Sequence, residues 1–286
     1  MAVGSKLPEL GGYPFEVRYS EGALMRAQAV ADLAAKAYVY FRHWFTGAEP
    51  DIALIVADEV DWSEHLPYEL AAFFRDDPSE IRPGIVLMPS GDFWVDLAED
   101  LRDAFPRGYK KLLAAYPDGS GGVDLQPFFD LITIHEIGHA FEVLGDLRLP
   151  TFWLSEIFAN LAMHAFVATQ LPAKLPTLKT LPTVGAGSRK LAARVRAEGY
   201  STLDELQAHY TGDWADPLNY LWFQHRWLRL AAKMFEVDGE DGLVRFWDCF
   251  HSVDRVGAPE ATAASLVPLL AAEVSTTLAR EVRDWH

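Results

Sequence analysis

Two histidines stand four positions apart around a glutamate in Ile132-Thr133-Ile134-His135-Glu136-Ile137-Gly138-His139-Ala140-Phe141, with apolar residues on both flanks. On a helix, positions i and i+4 share a face, so His135 and His139 can aim their imidazoles at one point. Neutral imidazoles are good zinc ligands, and Glu136 is placed to take a proton from a zinc-activated water. Chance would supply about 0.02 matches to HExxH in a chain of this length and composition. The segment is therefore read as a metal site holding one zinc per chain.

A catalytic zinc normally takes three protein ligands and keeps one position open. A longer pattern, HExxHxxGxxH, would need glycine at position 142 and histidine at position 145. The chain has Glu142 and Gly145 there. Asp146 follows directly, but its neighbours do not match the Gly-Thr-x-x-Asp context of the aspartate-ligand families. Glu156 is the better third ligand. It lies in Phe152-Trp153-Leu154-Ser155-Glu156-Ile157-Phe158-Ala159-Asn160, after a turn spanning Gly145 to Pro150. A short connection between two helices favours an antiparallel pair, which can carry Glu156 back beside the histidines.

These segments together resemble the gluzincins, zinc peptidases with an HExxH helix and a glutamate ligand on the next helix. Thermolysin-like proteases and the aminopeptidase family are of this kind. His135, Glu136 and His139 match the first motif, and Trp153-Leu154-Ser155-Glu156-Ile157-Phe158-Ala159 is similar to the Trp-Leu-x-Glu-Gly-Phe-Ala segment of the aminopeptidase branch. Ile157 departs from the glycine of that pattern, and the spacer is slightly shorter. The likeness is confined to residues 124–166. No Gly-x-Met-Glu-Asn segment is present, so exopeptidase specificity does not carry over.

The resemblance implies a zinc-dependent peptidase in which Glu136 is the general base. It implies that Asn160, one turn after Glu156, holds the second N–H of a histidine ligand; a solvent-facing asparagine is the competing reading. His164, two turns after Glu156, is a further possible ligand, though such a histidine more often simply packs. A second electrophile must meet the oxyanion of the transition state, and the family takes a Tyr or His from its helical lobe. Tyr220 is the first choice, because Tyr220 to Gly242 is similar to the family's segment around its catalytic tyrosine. Tyr210 and His225 are the reserves. Two other functions compete: a zinc amide or ester hydrolase with a non-peptide or biosynthetic substrate, and a non-catalytic zincin-like binding protein.

Composition narrows the field. Net charge is −16, which repels phosphate backbones and anionic lipid, so neither nucleic acid nor membrane is an expected partner. A peptide or protein substrate fits. Half of the residues are hydrophobic and nine are tryptophan, enough for a large core or two lobes. The lone Cys249 excludes an internal disulfide framework. Residues 1–13 carry no basic segment followed by an apolar run, so a cytoplasmic location is expected.

The rest of the chain must position these groups. Phe15–Tyr19, Asp51–Ala57 and Gly84–Met88 read as strands, and Glu21–Phe45 as a long amphipathic helix. Gly84–Met88 is either the cleft-edge strand that pairs with an extended substrate or an ordinary interior strand. Asp92–Phe105 and Lys110–Ala115 read as helices. Asp124 caps the active-site helix, Pro127 lies in its first turn, and Gly145 stops it. The second helix spans Phe152–Gln170. The Pro-spaced stretch from Leu171 to Thr183 reads as a surface crossover, not a helix. Thr202 and Glu205 form a capping box. Asp216-Pro217 opens a helix to about Glu236, and Gly239–Ser252 and Pro259–His286 are helical. The expected fold is α+β and zincin-like. Residues 1–146 form an α/β lobe with a mixed sheet and the HExxH helix. Residues 147–286 form a mainly helical lobe carrying Glu156 and Tyr220.

Overall fold

Strands buried on both faces read as unbroken apolar runs, and helices that cover both faces make such a sheet parallel. Ile52–Ala57 (β2) and Gly84–Pro89 (β4) are runs of this kind, buried at every position. In the computed structural model, which describes residues 6–65, 72–74, 84–90, 101–103, 105–209, 217–251 and 261–285, they lie at the centre of a four-stranded sheet. Its order is β1-β2-β4-β3, with β1 at Glu16–Tyr19 and β3 at Ala72–Phe74. β1, β2 and β4 run parallel, and β3 pairs antiparallel with β4. The molecule is thus mainly helical with a small mixed sheet, an α+β arrangement.

The sheet decides between the two readings of Gly84–Met88 in favour of the interior strand. Gly84–Met88 is not an edge. Leu87 pairs with Ile55 on one side and Ala72 on the other, so both rows of its backbone groups are taken. The edge beside it among the described strands is β3, too short for hydrophobic patterning to announce.

The chain divides into two compact units: Met1–Asp96 with Gln126–Asp146, and Leu97–Leu125 with Leu147–His286. The break at Asp146 coincides with the end of the HExxH helix. Residues 97–125, however, belong with the second unit and not the first. The reason is packing. The helix α3 (Tyr109–Ala115) leads into Tyr116, whose buried hydroxyl donates to the Thr177 carbonyl and accepts from the Leu181 N–H. Burial pushes that phenol up to about 12.

In the first unit, α1 (Leu24–Trp44) and α2 (Glu59–His65) accompany the sheet. The HExxH helix, α4, spans Gln126–Leu144, with Pro127 in its first turn and its start two residues after Asp124. An aromatic clasp locks it to α1. The Phe141 ring meets Tyr38 at 5.3 Å and both Phe41 and Phe45 at 5.7 Å, all tilted or edge-on. Such pairs contribute about 0.5–1.5 kcal/mol each beyond area burial. At the other end of α4, Arg26 of α1 binds Asp130 at 2.6 Å. The helix ends at Leu144, and Asp146 takes the left-handed conformation with φ 59°. Aspartate tolerates that region because its short side chain can bond its own backbone.

In the second unit, α5 (Phe152–Gln170) is buried at fourteen positions and packs on α9 (Pro217–His251). The expected break before Gly239 is a kink: Gly239 adopts φ 60° and ψ −150°, which only glycine accepts without strain. The Pro-spaced stretch is the clearest correction. After a single 3₁₀ turn at Pro172–Lys174, a full helix α6 runs Leu175–Ala186. Pro176 sits in its first turn, where the missing N–H costs nothing. Pro182 lies inside, and burial of Leu178, Leu181, Pro182 and Val184 offsets the lost hydrogen bond. The stretch is therefore a helix with one buried side, where a helix was not expected. Helix α7 (Arg189–Glu198) is capped by Ser188. Helix α8 (Leu203–His209) opens with the capping box: Thr202 accepts from the Glu205 N–H, and Glu205 accepts from the Thr202 N–H. Helices α10 (Ala263–Leu269) and α11 (Thr276–Arg283), joined by a π turn, complete the unit. Most of the expected helix at Asp92–Phe105, and the cap at Asp216, lie outside the described residues. Among the described residues no helix is long and apolar enough to cross a membrane.

Candidate metal centre

Helix α4 is apolar nearly all round, and a helix of that kind is buried. Its few polar groups are carried inside with it: His135, Glu136 and Glu142 are each 6 % exposed. Helical spacing then does the local work. The Nε2 atoms of His135 and His139 stand 3.0 Å apart, with the rings at 84° to each other. One turn further on, Glu142 Oε2 lies 2.9 Å from His139 Nδ1. A carboxylate only accepts, so it selects the tautomer with the proton on Nδ1 and leaves the lone pair of His139 on Nε2, towards His135.

Glu156, on α5, is also buried. One oxygen of its carboxylate and one nitrogen from each of His135 and His139 lie within 4.8 Å of one another. These three residues can hold a metal ion. The donor set suits zinc: two imidazoles and a carboxylate are the ligands of one class of catalytic site. The spacing suits it too. Two nitrogens at ordinary bond lengths on a tetrahedral zinc stand about 3.3 Å apart, close to the separation of the two Nε2 atoms. Glu136, Glu142 and Glu156 are buried acids, and Glu156 belongs to the ligand group itself. Glu142 supplies the carboxylate that a ligating histidine ordinarily bonds through its other ring nitrogen.

Around Glu156 a second set of polar side chains converges. Gln224, on α9, donates from Nε2 to Glu156 Oε2 at 2.6 Å and to Tyr220 Oη at 2.6 Å. Its carbonyl oxygen accepts from Asn160 Nδ2 at 3.2 Å. Tyr220 is therefore two hydrogen bonds from Glu156. Its ring stacks on Phe152 at 6.3 Å and meets the edge of Trp227 at 6.4 Å. Asn160 is buried as its helix position requires, but its amide bonds Gln224 and not a histidine; its Oδ1 finds no hydrogen-bond partner among the described residues.

The remaining histidines are placed elsewhere. His225 follows Gln224 but points away, packed against Gly185 and, at 6.1 Å, Phe105. Neither ring nitrogen has a hydrogen-bond partner among the described residues, and burial drives its pKa down to about 3. A neutral ring in that setting is a core residue, which removes it from the candidates for electrophile. His164 packs on Phe235 at 5.5 Å; burial, with Lys179 nearby, lowers it to about 4. It is not part of the ligand group. Tyr210 lies outside the described residues.

Two residues of the centre escaped the reading of the sequence. Glu142 stands in the sequence as a failed match to a longer motif, although its spacing of three from His139 puts it on the same helix face. Gln224 lies 68 positions beyond Glu156, and no local pattern links them. Compared with protein-family models, with curated proteins and with solved structures, the chain matches none.

Proposed function

We propose that the protein is a zinc-dependent metallohydrolase, and that its substrate is a peptide bond. The observation that carries this reading is the convergence of the His135 and His139 nitrogens and a Glu156 oxygen within 4.8 Å, in a segment where a glutamate follows the first histidine. His135, His139 and Glu156 would hold the ion, with Glu142 orienting His139. Bound there, zinc would act as a Lewis acid towards a carbonyl and make water a better acid.

The chain's own residues supply the rest. Glu136, buried on α4 next to a ligand, accepts a proton from the attacking water and returns it to the leaving nitrogen. The Tyr220 hydroxyl, tied to Glu156 through Gln224, is the group that donates to the carbonyl oxygen as negative charge grows on it. The sequence resemblance supports peptide over other amides, and the net charge of −16 suits neutral or basic peptides.

The test is a zinc titration of the purified chain beside digestion of a peptide library by the native protein and by Glu136→Gln. One zinc per chain in both, with cleavage only by the native protein, is expected. A chain that takes up no divalent ion overturns the reading. Cleavage that survives Glu136→Gln removes the assigned base.

A further inference from the structure

We propose that Gln224 is a positioning residue: its amide sets the Glu156 carboxylate and the Tyr220 hydroxyl in one fixed arrangement. The inference deepens the metallohydrolase reading and rests on it.

The amide is used at both ends. Its nitrogen has two hydrogens and makes two bonds, to Glu156 Oε2 and to Tyr220 Oη. Its oxygen accepts from Asn160. The chemistry of the neighbours fixes which end is which. A carboxylate can only accept, so the group 2.6 Å from Glu156 must be the NH₂. A flipped amide would set its oxygen against the carboxylate and its NH₂ against the NH₂ of Asn160. Both contacts would be repulsive. Asn160 is 1 % exposed, so its amide has no solvent to turn to, and this anchors the orientation further.

The consequence falls on Tyr220. A phenol oxygen that accepts from Gln224 does not spend its own hydrogen on that bond. Had the side chain at 224 been an acceptor only, the phenol would donate to it and be lost to the reaction. The stacking of Phe152 and the edge of Trp227 hold the ring, so the hydroxyl turns about one bond alone. Gln224 thus links ligand and electrophile: Asn160 holds Gln224, and Gln224 holds Glu156 and Tyr220. Positions 156 and 160 are one turn apart on α5, as are 220 and 224 on α9, so two helix faces meet along this row.

The experiment compares Gln224→Met, Tyr220→Phe and the double variant. Methionine keeps length and volume and removes every hydrogen bond. Zinc affinity is read by chelator competition, and kcat and KM are read at saturating zinc on a peptide that the native protein cuts. For Gln224→Met the expected result is a loss of zinc affinity of about 10- to 100-fold, the usual effect of removing a group that orients a ligand. At saturating zinc kcat falls with KM within about twofold, as for an interaction made only in the transition state. Tyr220→Phe lowers kcat and leaves zinc affinity at the native level. The double variant turns over no more slowly than Tyr220→Phe, because Gln224 acts on the reaction through Tyr220. Native zinc affinity in Gln224→Met overturns the proposal, as do additive losses in the double variant. Should Gln224→Met not fold, Asn160→Ala, which frees only the far end of the amide, is expected to shift zinc affinity the same way by less; no shift is again fatal. Failure of the native chain to bind zinc defeats the metallohydrolase reading itself, a separate outcome from a native chain whose affinity ignores position 224.

Discussion

Helix α4 and the α5–α9 pair both carry buried acids into the centre, but they hold them by opposite means. On α4 the contacts that join His135, His139 and Glu142 are local. His135, His139 and Glu142 are spaced by four and three, and the helix alone brings their ring and carboxylate atoms to 3.0 and 2.9 Å. On α5 Glu156 has a hydrogen-bond partner on another helix, 68 positions along the chain. A local constellation survives as long as its helix does. A long-range one depends on how two helices pack, and is therefore sensitive to core changes that touch neither ligand. Gly185 illustrates such a change. A methyl group there would lie 1.9 Å from the ring of His225, which shares α9 with Gln224 and Tyr220.

The most severe break in this comparison is chemical. Glu136→Gln is expected to lower the hydrolytic rate by about 10²- to 10⁴-fold, the usual worth of a general base, while zinc content measured by mass spectrometry stays at one per chain. Next come the ligands. His139→Ala on the local side and Glu156→Ala on the long-range side should each abolish the zinc-dependent rise in thermal midpoint. In the native chain that rise reflects about 2.7 kcal/mol when free zinc stands at 100 times its dissociation constant. A rise that persists in either variant would remove that residue from the ligand set.

Smaller effects sharpen the contrast. Gly185→Ala should cost about 1–3 kcal/mol in denaturant unfolding, the usual range for overpacking, because backbone and ring cannot both stay. It should also weaken zinc binding through displacement of α9. No core substitution on α1 that leaves α4 folded should do the same to the His135–His139 pair. Glu142→Gln keeps the shape but loses the charge beside His139, and a fall in zinc affinity of about tenfold is expected by chelator competition. If affinity is unchanged, Glu142 does not set the tautomer.

The last prediction concerns acid. His225 and His164 have folded-state pKa values of about 3 and about 4, well below the ordinary value near 6.5, with burial as the main cause. The unfolded chain therefore binds protons more readily than the folded one. The stability held in these neutral rings is complete above pH 6.5 and is lost steadily as pH falls towards 4. Thermal midpoints measured from pH 8 to 4 should be flat at first and then decline, and His225→Leu should lessen the decline. An unchanged acid slope in that variant would show that His225 does not contribute to it.

The pairing of His135 with His139 was legible in the residues alone because helical geometry ties sequence spacing to direction. HExxH needs no tertiary knowledge, and neither does the placing of Asn160 on the face of Glu156. The long apolar runs of β2 and β4 announced buried strands for a similar reason: complete burial demands complete hydrophobicity. The same logic failed wherever a preference could be overridden. Two prolines argued against a helix over 175–186, yet burial of its apolar side outweighed one missing hydrogen bond. Residues 97–125 precede the HExxH helix in sequence but group with the helices after it, since the tethers of Tyr116 to Thr177 and Leu181 bridge more than sixty positions. Gln224 had no signature at all. An amide has no preferred spacing to a carboxylate on another helix, and only the packing of α5 on α9 made it the link between Glu156 and Tyr220. Periodicity thus wrote the part of the centre that lies on one helix, while the contacts that aim it came from long-range packing, which no local pattern encodes.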